Sequence, residues 1–356
     1  DGTEDGNTST ITVTVAAVND APTTSDTNLI IPFESDNSYT ITLPTANDVD
    51  GDDVTYQVQT ISVNGSVSHD GSSITGTLNS TLYAGSVGYI TYKANDGNED
   101  SNESTVNLFI GGNSKSLDAQ SSGYVQISDE PEFAFSSFTF AAWIRSTQDN
   151  EGGSHDRILD RSDGSGRMII AKDPNNKFYF AADDGTGIEA AYSSTSLNED
   201  TWNHCVITFG SNGIGRLYIN GVAETLGGDS NSLGNDGTSF DFAFNDLTPI
   251  SGSILIGADS ANQEFDGLID ELIMWDSALT SAEVTALYNS GSSLYPLIDS
   301  GDYVSSSNVV AFYGFDGNKG ASADAIDASG NDFTGTRIST FIGTQGENAE
   351  IANTDY

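Results

Sequence analysis

The sequence predicts an all-β protein made of two β-sandwiches in series. Three observations predict it. Apolar and polar residues alternate in short runs along most of the chain, which is the period of a half-buried strand. Turn formers are abundant: glycine alone accounts for 38 of 356 residues, next to 17 Phe and 14 Tyr, a turn-rich and strand-rich composition. Only one stretch carries helical spacing with caps.

The first element is a repeat. Asp1–Thr10 read DGTEDGNTST and Asp96–Thr105 read DGNEDSNEST, identical at seven of ten positions with an offset of 95. Each copy runs into an alternating strand, Ile11–Val15 after the first and Val106–Ile110 after the second. Recurrence at this period marks an array of modules. Residues 1–21 are therefore expected to be the end of a preceding module and a junction, so the chain reads as a slice of a longer modular protein. Pro22 removes a backbone donor and stiffens the step that follows.

Residues 22–112 are expected to form one small sandwich. Its strands are Leu29–Ile31, Tyr39–Leu43, Val54–Val58, Ser73–Thr77, Gly88–Tyr92 and Val106–Ile110, with turn signals between them at sandwich spacing. Residues 113–356 have a different character. Aromatic-rich strands appear at Phe138–Ile144, Lys177–Phe180, Trp202–Phe209, Gly215–Asn220, Ile254–Ile256, Leu268–Trp275 and Val309–Phe315. Asn220-Gly221 is a hairpin signal. Thr280–Tyr288 is the lone helix candidate, with Thr280 and Glu283 in capping-box spacing and Gly291 past its end.

Charge excludes several functions. With 52 acids against 11 bases the net charge is −41. Nucleic acid is not a partner, because phosphate binding needs Lys and Arg, and anionic membrane surfaces repel such a chain. No run of eighteen apolar residues exists, so no membrane insertion is expected. The single cysteine, Cys205, rules out an internal disulfide. The scattered acids read as solvated surface. The clustered ones read as ligands for a divalent cation.

Asp48-Val-Asp-Gly-Asp-Asp53 is the densest cluster, with alternate carboxylates around a glycine turn. Calcium takes six to eight oxygens from such groups. Its twelfth position is Gln59, so it is not an EF-hand loop. Asn19-Asp20 and the turn Asp96–Asp100 offer more oxygens. The pattern Val18-Asn-Asp-Ala-Pro22, Asp48-x-Asp-Gly-Asp with Val54-Thr-Tyr56, then Ala94-Asn-Asp-Gly97 resembles the cadherin-like modules of long bacterial adhesins of RTX type. That resemblance implies calcium at module junctions, held by Asn19, Asp20, Asp48, Asp50 and Asp52, with Asp96, Glu34 and Asp100 behind them.

The larger domain has its own likeness. Phe138–Ile144, Thr201-Trp-Asn-His204, Arg216–Gly221, Phe265–Leu272 and Ile273–Leu279 resemble the laminin-G/pentraxin group of concanavalin A-like jelly rolls. Tyr313–Asp316 and Asp327-x-Ser-Gly-Asn331 normally open such a domain but here follow the helix, which implies a circular permutation or the start of another copy. The first reading is preferred, because no earlier copy of the motif precedes Ser116. The resemblance implies a structural calcium near Asp270, Asp327 and Asn331, with Asp316 behind them. It also implies ligand-contacting calcium oxygens at Asp259, Asn262 and Glu264. His155 lies in a loop able to touch a ligand.

No catalytic constellation emerges. Glycosidase chemistry needs paired carboxyls in a cleft, and the run Glu264-Phe-Asp266 lacks the third acid, its place being Ile269. Adjacent Asp270 and Glu271 are expected on opposite faces of a strand. His204 and Cys205 are likewise expected on opposite faces, both structural. These readings converge on a non-enzymatic, ligand-binding region of a secreted, calcium-dependent bacterial surface adhesin. Its partners would be carbohydrate on a cell surface or exopolysaccharide and the neighbouring modules, and the chain would be a monomer. A structural spacer, a protein-binding module and a polysaccharide-active enzyme are the alternatives.

Overall fold

The computed structural model describes the chain except residues 1–6, 8, 14–17, 33–37, 64, 71–72, 79–84, 112–115, 120–122, 134–135, 148–154, 164–165, 184–187, 229–236, 242–251, 260–263, 292–293, 316–323, 326 and 340–356.

Among the described residues, the first sandwich has seven strands. One sheet orders β1 (Thr27–Pro32), β7 (Ser104–Gly111), β6 (Gly85–Asn95) and β3 (Thr55–Val63), with β1 parallel to β7. The other orders β2 (Ser38–Thr42), β5 (Ser73–Leu78) and β4 (Gly65–His69). Ile74, Ile90, Tyr92, Val106 and Leu108 alternate inward from both sheets and are fully buried. Each such side chain contributes ~1.5–3 kcal/mol. β4 is mostly Ser, Gly and His, so the sequence does not announce it. Of the strand expected at Ile11–Val15, the described part is not paired. Ile11 and Val13 stand 87% and 78% exposed.

The second sandwich is a jelly roll of two larger sheets. One orders β17 (Val222–Ala223), β16 (Ile214–Ile219), β15 (Asn203–Phe209), β10 (Phe138–Ser146), β21 (Gly267–Trp275) and β22 (Val309–Tyr313). β19 (Phe240–Asp241) and β8 (Leu117–Asp118) attach to β16 and β21. The nine-stranded sheet orders β18 (Leu226–Gly228), β14 (Ile188–Ser196), β13 (Lys177–Asp183), β12 (Arg167–Lys172), β11 (Asp156–Ser162), β20 (Ile254–Ile256), β9 (Gly123–Ile127), β24 (Gly335–Ser339) and β23 (Asp324–Ala325).

Phe138, Phe140, Ala142 and Ile144 of β10 and Cys205, Ile207 and Phe209 of β15 meet Val125, Ile127, Phe178 and Phe180 between the sheets. The opposite side of the eight-stranded sheet is buried too. Ala141, Val206, Tyr218, Ile273 and Trp275 lie under Val284 and Leu287 of α1 (Ser281–Tyr288) and under Tyr295 and Tyr303. Being covered on both sides is why β10 reads as a continuous apolar run. His204 faces the helix side, tilted against Trp143 with ring centroids 5.0 Å apart and stacked on Tyr288 at 6.2 Å, while Cys205 points into the inter-sheet core.

The helix starts as expected. The Thr280 hydroxyl accepts from the Glu283 amide and the Glu283 carboxylate accepts from the Thr280 amide. It ends differently: Asn289, in the left-handed region at φ 44°, caps it before Gly291 is reached. Asn can take that conformation because its short polar side chain tolerates it. At the hairpin, Asn220 and Gly221 both have positive φ, 51° and 76°, as a type I′ turn requires.

The C-terminal strands belong to the same jelly roll. β22 pairs with β21, Ile273 opposite Phe312, and β24 pairs with β9, Arg337 opposite Val125. The segment after the helix thus adds to both sheets.

Candidate functional site

The outer side of the nine-stranded sheet, away from the inter-sheet core, carries the strongest concentration of chemistry. Strand register sets its residues in rows. One row runs Arg157, Ala171, Tyr179, Tyr192 across β11 to β14. The next runs Leu255, Asp160, Ile169, Ala181, Ala190 across β20 to β14. A third runs Ser162, Arg167, Asp183, Ile188. The floor is therefore small and apolar, Ile169, Ala171 and Ala181 packing as one cluster with Tyr179 and Ala190 beside them. All three floor residues are buried.

A bulge builds the polar side of this face. Register shifts between Arg157 and Leu159, so one extra residue, Ile158, enters β11. Residues three apart normally face opposite ways in a strand. The bulge brings Arg157 and Asp160 to one side. Arg167 donates through Nε and Nη2 to Asp160 Oδ2, at 2.9 and 2.6 Å, and through Nη2 to Asp259 Oδ2 at 2.9 Å. Arg157 Nε stands 3.6 Å from Asp160 Oδ2 and 3.5 Å from Asp259 Oδ2. Two guanidiniums and two carboxylates thus form one ionic cluster. Both aspartates are 2% exposed. Burial pushes the Asp160 carboxyl up even though Arg167 and Arg157 pull it down.

The aromatic side lies alongside. The His155 ring sits 4.3 Å from the Tyr179 ring, and its carbonyl accepts from Arg157 Nη1 at 3.1 Å. Burial and then the Arg157 charge hold His155 below its ordinary range, against the opposing pull of Asp173, so its imidazole is neutral at pH 7. Tyr192 lies directly across from Tyr179 and is 37% exposed. Its ring rests over Gly227, where a Cβ would come within 2.2 Å of it. Only glycine leaves room for the ring in that position.

Of the residues expected at a ligand surface, His155 and Asp259 meet on this face. Glu264 is half-buried and bridges Ala258 antiparallel, and Asn262 lies outside the described residues. Asp259, expected as a ligand-contacting calcium oxygen, is held by two arginines. β11 and β12 supply the other three members of the cluster, and neither strand was legible: Asp156-Arg-Ile-Leu-Asp-Arg-Ser162 mixes charges into a buried strand.

The other jelly-roll candidates are dispersed. Asp327 accepts from the amides of Phe312 and Ser329 on one oxygen and from the Ser329 hydroxyl and the Phe333 amide on the other. Asn331 donates to the carbonyls of Val309 and Val310. Together they fasten the loop to β22, and the Asp327 oxygens are already engaged by protein donors. Asp316 lies outside the described residues. Asp270 accepts from the Glu271 amide at 2.8 Å. Register shifts between Ala141 and Trp143, and Glu271 takes φ 44°. This is a bulge at which Glu271 and Leu272 share one partner position, and both acids are buried.

The junction candidates do come together. The Asp20 amide donates to Asp50 Oδ2 at 2.8 Å, the Asn19 amide group to Asp96 Oδ2 at 2.9 Å, and Asn98 to Asn19 Oδ1 at 3.0 Å. Asp48 Oδ1 accepts from the amides of Gly51 and Asp52, and Gly51 has φ 82°. Asp52 is exposed. Asp48 Oδ2 is a buried oxygen without a hydrogen-bond partner. Amides of Glu99 and Asn98, then the Asn19 side chain, hold Asp96 below the usual carboxylate range. Asp100 accepts from Asn95, and Glu34 lies outside the described residues. Among the described residues, no three His, Cys, Asp or Glu side chains already converge as a metal cage. No described helix is long and apolar enough to cross a membrane.

Sequence families agree with this architecture. Residues 118–285 match the model of the concanavalin A-like lectin/glucanases superfamily, and residues 19–109 match that of the bacterial Ig domain. The protein is thus an Ig-like sandwich followed by a concanavalin A-like jelly roll. No curated protein matches the chain.

Among solved structures, a Bacteroides ovatus protein described as a candidate carbohydrate binding protein is 16% identical, covers 89% of this chain and 95% of its own, and has a TM-score of 0.45. The native heptameric SAP-like pentraxin of Limulus polyphemus is 14% identical over 47% of this chain and 75% of its own, with a TM-score of 0.33. Domain 4 of AbnA, a GH43 extracellular arabinanase of Geobacillus stearothermophilus in complex with arabinotriose, is 18% identical over 49% of this chain and 81% of its own, with a TM-score of 0.37. At such scores the fold is read from the strand order itself.

Proposed function

We infer that the jelly roll binds carbohydrate on the outer face of its nine-stranded sheet, as part of an extracellular, calcium-dependent bacterial surface adhesin. The observation that carries this reading is the row of Arg157, Ala171, Tyr179 and Tyr192, with His155 against Tyr179. Sugar rings present an apolar face and a polar rim. Aromatic side chains supply a flat apolar surface, and a few placed polar groups fix orientation in a ligand site. The family match to lectins and glucanases supports a saccharide as the occupant.

Calcium enters the proposal at the first sandwich. Asn19, Asp20, Asp48, Asp50, Asp52 and Asp96 would hold it, and the buried, unpartnered Asp48 Oδ2 supports that fit. Calcium prefers six to eight such oxygens. When bound it would supply charge neutralisation and a rigid link between modules. The Ig-like sandwich would then act as an extender for the binding domain.

The test is a glycan array with the full chain and with Tyr179→Ala and Tyr192→Ala. Wild-type protein should bind a defined saccharide class. Both variants should lose at least tenfold in affinity while melting as wild type. Unchanged binding by Tyr179→Ala would move the site off this face.

A further inference from the structure

We propose that the outer face of the nine-stranded sheet takes an uncharged saccharide without help from a divalent cation, its polar side being organised by Arg157, Asp160, Arg167 and Asp259. This rests on the carbohydrate reading of the same face. It departs from the expectation that Asp259, Asn262 and Glu264 bring calcium to the ligand.

The contacts of Asp259 decide against a cation there. Its Oδ2 accepts from Arg167 Nη2 at 2.9 Å and lies 3.5 Å from Arg157 Nε. A calcium ion at that oxygen would displace one guanidinium and sit beside the other. Like charges so close repel strongly wherever water is excluded, and Asp259 is 2% exposed. Removing a guanidinium would also leave Asp160, equally buried, short of a partner.

The same contacts select against an acidic sugar. Two arginines and two aspartates cancel, so the cluster offers no net positive charge. Arg167 already directs Nε and Nη2 at Asp160 and Asp259. A sugar carboxylate would have to compete with both aspartates. It would also approach a chain carrying 52 acids against 11 bases, whose long-range field repels anions. A neutral sugar meets neither obstacle. It can lie on Tyr179 and Tyr192, and its hydroxyls can reach the rim of Arg167, whose side chain is 32% exposed.

The experiment is a glycan array of neutral, sialylated and uronic saccharides. It is run with the full chain in millimolar calcium and again in excess EDTA, and then with Arg167→Lys and Arg167→Met. The expected result is binding to neutral glycans, equal within twofold with calcium and with EDTA. Arg167→Met should weaken it at least tenfold, and Arg167→Lys should restore part of the loss. Near-UV circular dichroism checks that both variants fold. Binding to neutral glycans that disappears in EDTA overturns this inference and leaves the carbohydrate reading intact. Binding confined to acidic glycans also overturns it. No binding to any glycan by folded protein overturns both.

Discussion

Asp160→Ala is the substitution that most sharply tests the ionic cluster. The Asp160 side chain is 3% exposed and holds Arg167 through two hydrogen bonds, with Arg157 at 3.6 Å. Removing one partner of a buried pair costs ~3–5 kcal/mol, because the remaining charge is left uncompensated. The lower end applies here, since Asp259 still faces both guanidiniums. For a domain of this size each kcal/mol moves the melting temperature by ~2–4 °C, so the jelly-roll transition should fall by roughly 6–12 °C. The control is Asp129→Ala. Its distance to Arg161, 2.8 Å, is as short, but the Asp129 side chain is 44% exposed. Solvent screens such a pair, so its loss should be much smaller. Differential scanning calorimetry of the full chain reads both. Equal shifts for the two variants would refute the claim that burial, not distance, sets the strength of these pairs.

Other expectations follow from the same structure. Thr280→Ala removes the acceptor for the Glu283 amide and should destabilise the jelly roll by ~1 kcal/mol in thermal denaturation. His204 is fully buried and its pKa is lowered to about 3 by desolvation. The unfolded chain binds that proton at its ordinary pKa near 6.5 and the folded chain does not. Stability is therefore complete above pH 6.5 and lost as pH falls toward 3, at ~1.4 kcal/mol per unit. Denaturant titrations of wild type and His204→Phe between pH 6.5 and 4 should diverge by that slope. Calcium at ten times its Kd should stabilise the Ig-like sandwich by ~1.4 kcal/mol, read as a melting shift that EDTA abolishes. An unmoved transition would leave the junction acids as solvated surface.

The parts of the fold that could be read in the sequence are those where burial and polarity agree. Phe138–Ile144, Trp202–Phe209 and Leu268–Trp275 announce themselves because one or both faces are apolar, and the Thr280–Glu283 pair because a capping box needs two residue types at fixed spacing. β11 and β12 stayed hidden because Arg157 and Asp160 are buried through mutual neutralisation with Arg167 and Asp259, and Arg161 is buried against Asp129, which a hydrophobic pattern cannot register. A bulge adds to the difficulty: at Ile158 an extra residue gathers Arg157 and Asp160 onto one face. His155 and Asp259 could be named from the sequence as candidates, Asp259 as a calcium oxygen, and Lys177–Phe180 as a strand with no role assigned to Tyr179. The ionic cluster of the ligand face became visible only when strands distant in sequence were laid side by side.

The placement of the last strands fixes an order of events during synthesis. β9 completes its pairing only with β24, more than two hundred residues later, and β21 waits for β22. Pairings this distant in sequence form slowly, since the chain between them must first be confined. The Ig-like sandwich closes within 27–111 and can fold while the rest of the chain is still being made. The jelly roll cannot. Until residue 339 has emerged, β9 lacks its neighbour and the sheet keeps an open edge in its interior. A ribosome stall or proteolytic nick between α1 and β24 would thus release a normal first module joined to an unclosed, aggregation-prone second one.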